Sequence, residues 1–374
     1  MPRTGNETLT ERERLQKAIA CETPDRIPIV LRLEYSAALW AGITCRDFCC
    51  YPHKASDAIE IAFDRIGGWD GVDNTWTQGI RFMRLEPQKP MIPGVDLPED
   101  MPLEFDSKPS MTADDYDIAI KKGYYGLYSE LIERRGRTFN QRVEEEIFLG
   151  FAPIYRYWEE RKNVPVVRGG MTRPPIIAFT LLRSFEEISK DYFRKSDKML
   201  EAIEATYRDS IKMGETQSRL VGSNYVFVPI SRAASTFMSE KLFLKFFFPT
   251  FKEIIEQLVS DGFTPRIHAD ADWTPFLHYF LELPKRKCIL ELEPMTDMAK
   301  AKEILGGHMC LYGDVPPDVL SLGTSKDVED YVKKKIEDVG KDGFILANDD
   351  MMPHDAKYEN VKAIVDAGKK YGWS

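Results

Sequence analysis

Long apolar runs are missing from this 374-residue chain. No window approaches the ~18 uninterrupted apolar residues that a membrane-crossing helix needs, so no span is expected. The most apolar stretch, LFLKFFFPTF at 242–251, is short and broken by Lys245 and Pro249. The opening, MPRTGNETLTERERLQKAIAC, is charged and has no apolar segment of the kind a secretory signal carries. Basic charge is in deficit as well. The formal net charge is -9, with acidic and basic residues interspersed rather than gathered in a stripe. That argues against binding nucleic acid or an anionic membrane surface by charge alone. The six cysteines, Cys21, Cys45, Cys49, Cys50, Cys288 and Cys310, lack the spacing of a disulfide framework. Free thiols in a reducing cytoplasm are the expected setting. CRDFCC at 45–50 has neither C-x-x-C spacing nor a partner pair downstream, which speaks against a zinc site there. No repeat and no low-complexity linker divides the chain.

What the chain does have is 43% hydrophobic and 30% charged residues, ordinary globular proportions for a large core. Short β-branched or apolar runs recur, each followed by a helical stretch. The runs are RIPIVLRLEY (26–35), VPVVRGG (164–170), SNYVFVPISR (223–232), TPRIHAD (264–270), KCILELE (287–293), HMCLYGD (308–314) and GFILAND (343–349). Alternation of this kind predicts a parallel sheet with helices outside it. Seven or eight units in ~340 residues fit a closed (β/α)8 TIM barrel spanning 1–374, with an N-terminal helical extension. The rhythm breaks near residues 80–160, a segment rich in proline and acid. It reads as an insertion, a lid or an extra layer over the barrel; a surface loop without function is the alternative.

Catalytic groups of such barrels project from the C-terminal ends of the strands. Those ends offer Arg32, Glu34 and Tyr35; Arg168 and Arg173; Ser231 and Arg232; His268, Asp270 and Asp272; Glu291 and Glu293; Asp314; and Asn348, Asp349 and Asp350. Carboxylates crowd the last four, and carboxylates in one mouth repel unless a cation or shared protons relieve them. A divalent metal is the economical explanation. Histidine and carboxylates suit zinc, which in catalytic sites takes three protein ligands and keeps one position open. His268 and Asp270, two apart, lie on one strand face, and Asp350 is the third candidate. Asp272 reads as a helix N-cap, His278 as a packing or surface residue, and His308 as lying at the wrong end of its strand. Glu293 is equally readable as a site residue or a salt-bridge partner.

RERLQKAIACETPDRIPIV resembles the opening of the uroporphyrinogen decarboxylase superfamily. The late segment, with YGDVPPDVLSLGTSKDV, and the ending GFILANDDMMPHDAKYENVKAIVDAGKKYG resemble that family's late patterns, in the same order. The resemblance implies a (β/α)8 barrel with its site at the strand C-termini. The superfamily includes porphyrinogen decarboxylases and cobalamin-dependent methyltransferases. The decarboxylases' glycine- and arginine-rich motif is not found after the first strand, where LRLEYSAALW stands. Family members that act on coenzyme M are similar in having a His-x-Cys pair and a late lone Cys that bind zinc. These positions fall on His268, Asp270 and, nearby, Asp350, so aspartate replaces both cysteines. Carboxylates make a harder site that suits an oxygen-bearing substrate.

The expected activity is therefore the methyltransferase component of an O-demethylase. It moves a methyl group between an aryl methyl ether, of guaiacol or vanillate type, and cobalt. No D-x-H-x-x-G cobalamin motif occurs, so the cobalamin is expected on a separate corrinoid protein. Zinc would be held by His268, Asp270 and Asp350. Asp270 also counts among the catalytic groups, with Glu293 as the acid, while Arg32, Glu34, Tyr35 and Trp273 line the substrate. A decarboxylase of the same superfamily and a methylcobamide:thiol methyltransferase are the alternatives.

Overall fold

Each of the seven apolar runs contributes backbone to the central sheet, and an eighth strand joins them. In the computed structural model, which describes residues 7–374 except 74–78 and 107, the first six residues of the charged opening lie outside the described part. The sheet strands are β1 (Ile29–Leu31), β2 (Gly71–Val72), β3 (Gly170–Met171), β4 (Tyr225–Pro229), β5 (Thr264–Ala269), β6 (Ile289–Leu292), β7 (Cys310–Val315) and β8 (Phe344–Asn348). All neighbouring pairs run parallel, in the order β2, β1, β8, β7, β6, β5, β4, β3. The two ends of the sheet meet just before β3. Val72 N donates to Pro165 O and Val167 N to Val72 O, both at 2.9 Å. These bonds curl the sheet into a TIM-barrel-like α/β fold with helices around it.

The barrel floor is closed by the helix Glu11–Ile19. Thr10 caps it, with Glu13 completing a reciprocal capping box. Its Leu15 and Ala18 pack with the inward-facing Val30, Val167, Ile289, Cys310 and Ile345. Asp70, fully buried, fastens this plug. It accepts from Arg14 at 2.7 Å, from Arg26 at 2.6 Å and from the Ile29 amide at 2.8 Å.

The insertion near 80–160 forms mainly helices, Asp115–Glu133 and Gln141–Arg156, together with a short two-stranded hairpin, Pro90–Met91 with Glu104–Phe105. Both helices pack on the long helix Ser196–Val221, and residues of the insertion such as Phe82, Tyr116, Phe148 and Phe151 belong to the same buried core as the barrel. The insertion is thus a layer built onto the barrel's outer helices.

The helix Ser196–Val221 approaches β3 closely, and glycines make that approach. A Cβ on Gly170 would lie 2.3 Å from the Gly214 carbonyl oxygen and 2.5 Å from Gln217 Cβ. Backbone cannot rotate aside, so Gly170→Ala is expected to cost about 3 kcal/mol of stability in urea unfolding. Gly214→Ala should cost less. Its one overlap under 3.0 Å is with the Thr172 hydroxyl, the Thr172 and Met171 backbone lying at 3.0 and 3.1 Å, and alanine returns about 1 kcal/mol of helix propensity. Equal losses, or none at Gly170, would contradict this packing.

On the outer side of the same helix, Glu215 meets Asp261. Burial and then the Asp261 carboxylate push the Glu215 carboxyl up to about 7. A raised carboxyl binds its proton more tightly when folded. The associated stability is therefore fully present below the ordinary carboxyl range and is lost as pH rises through about 7. Glu215→Gln should flatten this part of the stability–pH curve between about pH 5 and 8. An unchanged slope would remove Glu215 as its source.

Candidate functional site

Strand register brings the polar residues to one end of the barrel. In β5 the inward positions are Arg266 and His268, two apart, and Asp270 follows in the same sense. His268 pairs across the sheet with Glu291 of β6, and Glu291 with Tyr312 of β7. Arg32 follows β1, Asp73 follows β2, and Asn348, Asp349 and Asp350 end β8. Asn348 ties the first and last loops together. Its Oδ1 accepts from the Arg32 amide at 2.9 Å, and its Nδ2 donates to the Arg32 and Asp350 carbonyls at 3.2 and 3.1 Å.

The floor of the mouth is a buried charge network. Arg266 is fully buried and donates to both Glu291 oxygens at 3.0 and 2.9 Å while pairing closely with Asp73. Arg168 reaches Asp73 at 3.2 Å and sits over the Phe227 ring, its guanidinium carbon 3.3 Å from the ring centre. Arg32 donates to Glu34 at 2.7 Å and pairs closely with Asp350. Burial alone would raise the Glu291 carboxyl, but Arg266 and His268 hold it well below the usual carboxylate range.

His268 stands at the centre. Its Nε2 lies 2.6 Å from Asp270 Oδ1 and 3.4 Å from Asp350 Oδ1, and its Nδ1 lies 3.1 Å from Glu291 Oε2. Burial disfavours the charged imidazole, yet Glu291, Asp270 and Asp350 outweigh it and raise the His268 pKa well above its ordinary value. Glu293 accepts from the Ala271 amide at 2.7 Å; burial, followed by Asp270 and Asp350, raises its carboxyl. Asp349 is pushed up to about 8 by burial and by Glu293 and Asp350, and its Oδ1 is buried without a hydrogen-bond partner. Three non-glycine residues of this rim, Glu34, Ala271 and Asp350, hold φ at +46°, +69° and +21°. Such strain persists only where surrounding contacts over-determine the backbone.

The three residues expected to bind metal are thus brought together. Among the described residues, however, no group of three or more His, Cys, Asp or Glu side chains is already arranged to hold an ion. The distances say why. Two ligands of one tetrahedral zinc sit about 3.3 Å apart; the His268–Asp350 spacing of 3.4 Å matches this, whereas the 2.6 Å to Asp270 is that of a direct charge pair. Arg32 also occupies Asp350. The donor chemistry fits a divalent cation that meets a deprotonated His268 nitrogen. One imidazole nitrogen would face it with a carboxylate behind the ring, as is usual for metal-bound histidine, and two more carboxylates stand beside it.

Of the residues expected to line the substrate, Arg32 and Glu34 are in the mouth but nearly fully buried and paired with each other. Two need correction. Trp273 is fully buried among Phe243, Phe247, Phe276 and Phe280, and its Nε1 donates to the Asp270 carbonyl at 2.8 Å, so it holds the loop instead of walling a ring. Tyr35 is buried against Phe48 in the same sense. Asp272 accepts from the Thr274 amide at 2.9 Å at the start of the Thr274–Glu282 turns, which are 3-10 rather than α-helical. His278 packs on Tyr279, and His308 meets the Leu283 carbonyl at 3.0 Å, beside the N-terminal end of β7. Asp73 and Arg266 were missed. Asp73 follows a strand of two residues, too short to show a pattern. Arg266 had a signal, since it precedes His268 and Asp270 at the same period of two.

Cys45 and Cys49 are buried in the helix Cys45–Cys50, and burial raises both thiols, to about 11 and about 12. Among the described residues no helix is long and apolar enough to cross a membrane.

Comparison with known proteins adds three findings. The family model described as uroporphyrinogen decarboxylase (URO-D) matches residues 154–371. No curated protein matches the chain. Among solved structures, a methyltransferase from Methanosarcina mazei is similar over 97% of this chain and 99% of that one, with a TM-score of 0.72 at 17% identity, a likeness of fold. A B12-independent methionine synthase from Shewanella sp. W3-18-1 is similar over 59% of this chain and 66% of its own, with a TM-score of 0.43 at 12% identity.

Proposed function

Given that the chain belongs to the uroporphyrinogen decarboxylase family, we propose that it is a methyltransferase moving a methyl group between an oxygen-bearing small molecule and the cobalt of a separate corrinoid protein. Aryl methyl ethers of the guaiacol or vanillate type are the favoured donors. The observation that carries the reading is the meeting of His268 Nε2 with the Asp270 and Asp350 carboxylates, with Glu291 behind the ring. The fold shared with a methyltransferase is in keeping with it.

In this reading His268, Asp270 and Asp350 would hold zinc, which when bound would supply a Lewis acid for the ether oxygen. The chain's own residues do the rest. Glu291, pinned by Arg266, fixes the His268 ring so that Nε2 faces the two aspartates. Arg32 and Asn348 keep the β1 and β8 loops together, which sets where Asp350 stands. When the methyl–oxygen bond breaks, the methyl carbon passes to cobalt and the electron pair stays on oxygen. Glu293, whose carboxyl burial and then Asp270 and Asp350 raise, is the group placed to give a proton to that oxygen.

Glu293→Gln tests the assignment. It keeps the shape and the Ala271 amide contact but has no acidic proton. Transfer from a methoxyaromatic to cobalt(I) corrinoid should fall about 100-fold, the usual worth of a general acid, with metal content unchanged. Undiminished transfer would take Glu293 out of the chemistry.

A further inference from the structure

The mouth's ion pairs also bear on the charge of the substrate. We infer that the site selects methoxyaromatics that carry no carboxylate, guaiacol-type over vanillate-type, an inference that rests on the methyltransferase reading above. Each guanidinium inside the barrel end is already committed. Arg32 serves Glu34 and Asp350, Arg168 serves Asp73, and Arg266 serves Asp73 and Glu291. His268 lies between Asp270, Asp350 and Glu291. Glu293, which accepts from the Ala271 amide, and Asp349 add two carboxyl groups and no cation, with no arginine or lysine in pairing distance of either among the described residues. A divalent ion at His268 would offset part of this charge, and its open position is the one the ether oxygen would take.

A substrate carboxylate entering here must take an arginine from a protein carboxylate and leave that group buried and unpaired, which is costly. A neutral methoxyphenol meets no such conflict. Its hydroxyl is a donor, and the mouth offers acceptors such as Asp349 Oδ1, buried without a hydrogen-bond partner. Arg232, in the turn after β4, has its guanidinium carbon 5.8 Å from the Phe237 ring centre and no ion pair with the network's carboxylates among the described residues.

The test uses the full-length, zinc-supplemented protein and two probes that have no methyl group to transfer, phenol and 4-hydroxybenzoate, with binding read by calorimetry. Phenol should bind more tightly by roughly 10-fold or more, because like charges juxtaposed in a site are strongly disfavoured. Glu34→Gln should narrow the gap, since Arg32 then loses one carboxylate partner; Asp73→Asn, which frees Arg168 from its ion pair, should narrow it too and serves if Glu34→Gln does not fold. Equal or tighter binding of 4-hydroxybenzoate by the unmodified protein would overturn the inference, and its loss in Arg232→Gln would locate the anion at that rim arginine. Failure of phenol to bind would overturn it as well. Transfer from guaiacol and vanillate is measured in parallel. A preserved probe preference with no transfer from either ether would sink the methyltransferase reading and leave the charge selection standing.

Discussion

Arg266→Met should lower the unfolding free energy by about 3–5 kcal/mol, the cost of stripping one partner from a buried ion pair. The residue is fully buried, and its guanidinium joins three strands through Asp73 and Glu291. It also lies over the Tyr312 ring, 4.3 Å from the centre, a cation–π contact that methionine cannot replace. With the arginine gone, Asp73 and Glu291 each lose a buried guanidinium, while Arg168 stays beside Asp73 and His268 beside Glu291. Two features separate this from simple loss of packing. Arg266→Lys should fall in between, because an ammonium cannot meet both Glu291 oxygens in one plane. Adding Asp73→Asn to Arg266→Met should recover part of the loss, since the residues touch and their effects are not additive. Urea unfolding measures all three; a loss under about 1 kcal/mol for Arg266→Met would mean that the network is solvated in solution.

His268→Ala carries the second large effect. Its ring supplies the imidazole nitrogen at the mouth, and Glu291 and both aspartates are arranged around it. Its removal should abolish retained metal and lower methyl transfer by about 1000-fold or more, equivalent to about 4 kcal/mol of transition-state stabilisation. The barrel should stay folded, because Arg266 still anchors Glu291 and the core below is apolar. Asp270→Ala should follow the same pattern more weakly. Full metal occupancy in both variants would move the metal away from this position.

How much of this was legible in the residues depends on the period each element shows. Six strands announced themselves because each lies in an apolar run bounded by polar turns, as in SNYVFVPISR around β4, whereas β3, Gly170–Met171, falls at the end of its run. The strand β2 did not, because Gly71–Val72 is two residues long and its inward position is a glycine packed against Val30, Val167 and Leu15. With that strand unread, Asp73 could not be placed, and neither could the partner of Arg168 and Arg266. His268, Asp270 and Asp350 were readable from position alone, since strand ends of a barrel converge whatever loops intervene. The aromatic candidates failed for a different reason. Tyr35 and Trp273 stand beside site residues in the chain, but adjacency in sequence does not set side-chain direction at a turn. Both rings found apolar partners in the core. The pairing of Arg32 with Asp350, 318 residues away, had no local trace at all.

The central claim, a metal-assisted methyl transfer at His268, Asp270 and Asp350, is tested most directly by one paired measurement. Metal bound per chain is determined on the purified protein, and on the same sample methyl transfer from guaiacol to cobalt(I) in a separate corrinoid protein is followed. The account predicts about one divalent ion per chain, transfer that disappears on chelation and returns with zinc, and both properties lost together in His268→Ala. Transfer that survives complete removal of metal, or a fully metal-loaded protein that moves no methyl group to cobalt from any methoxyaromatic, would contradict it.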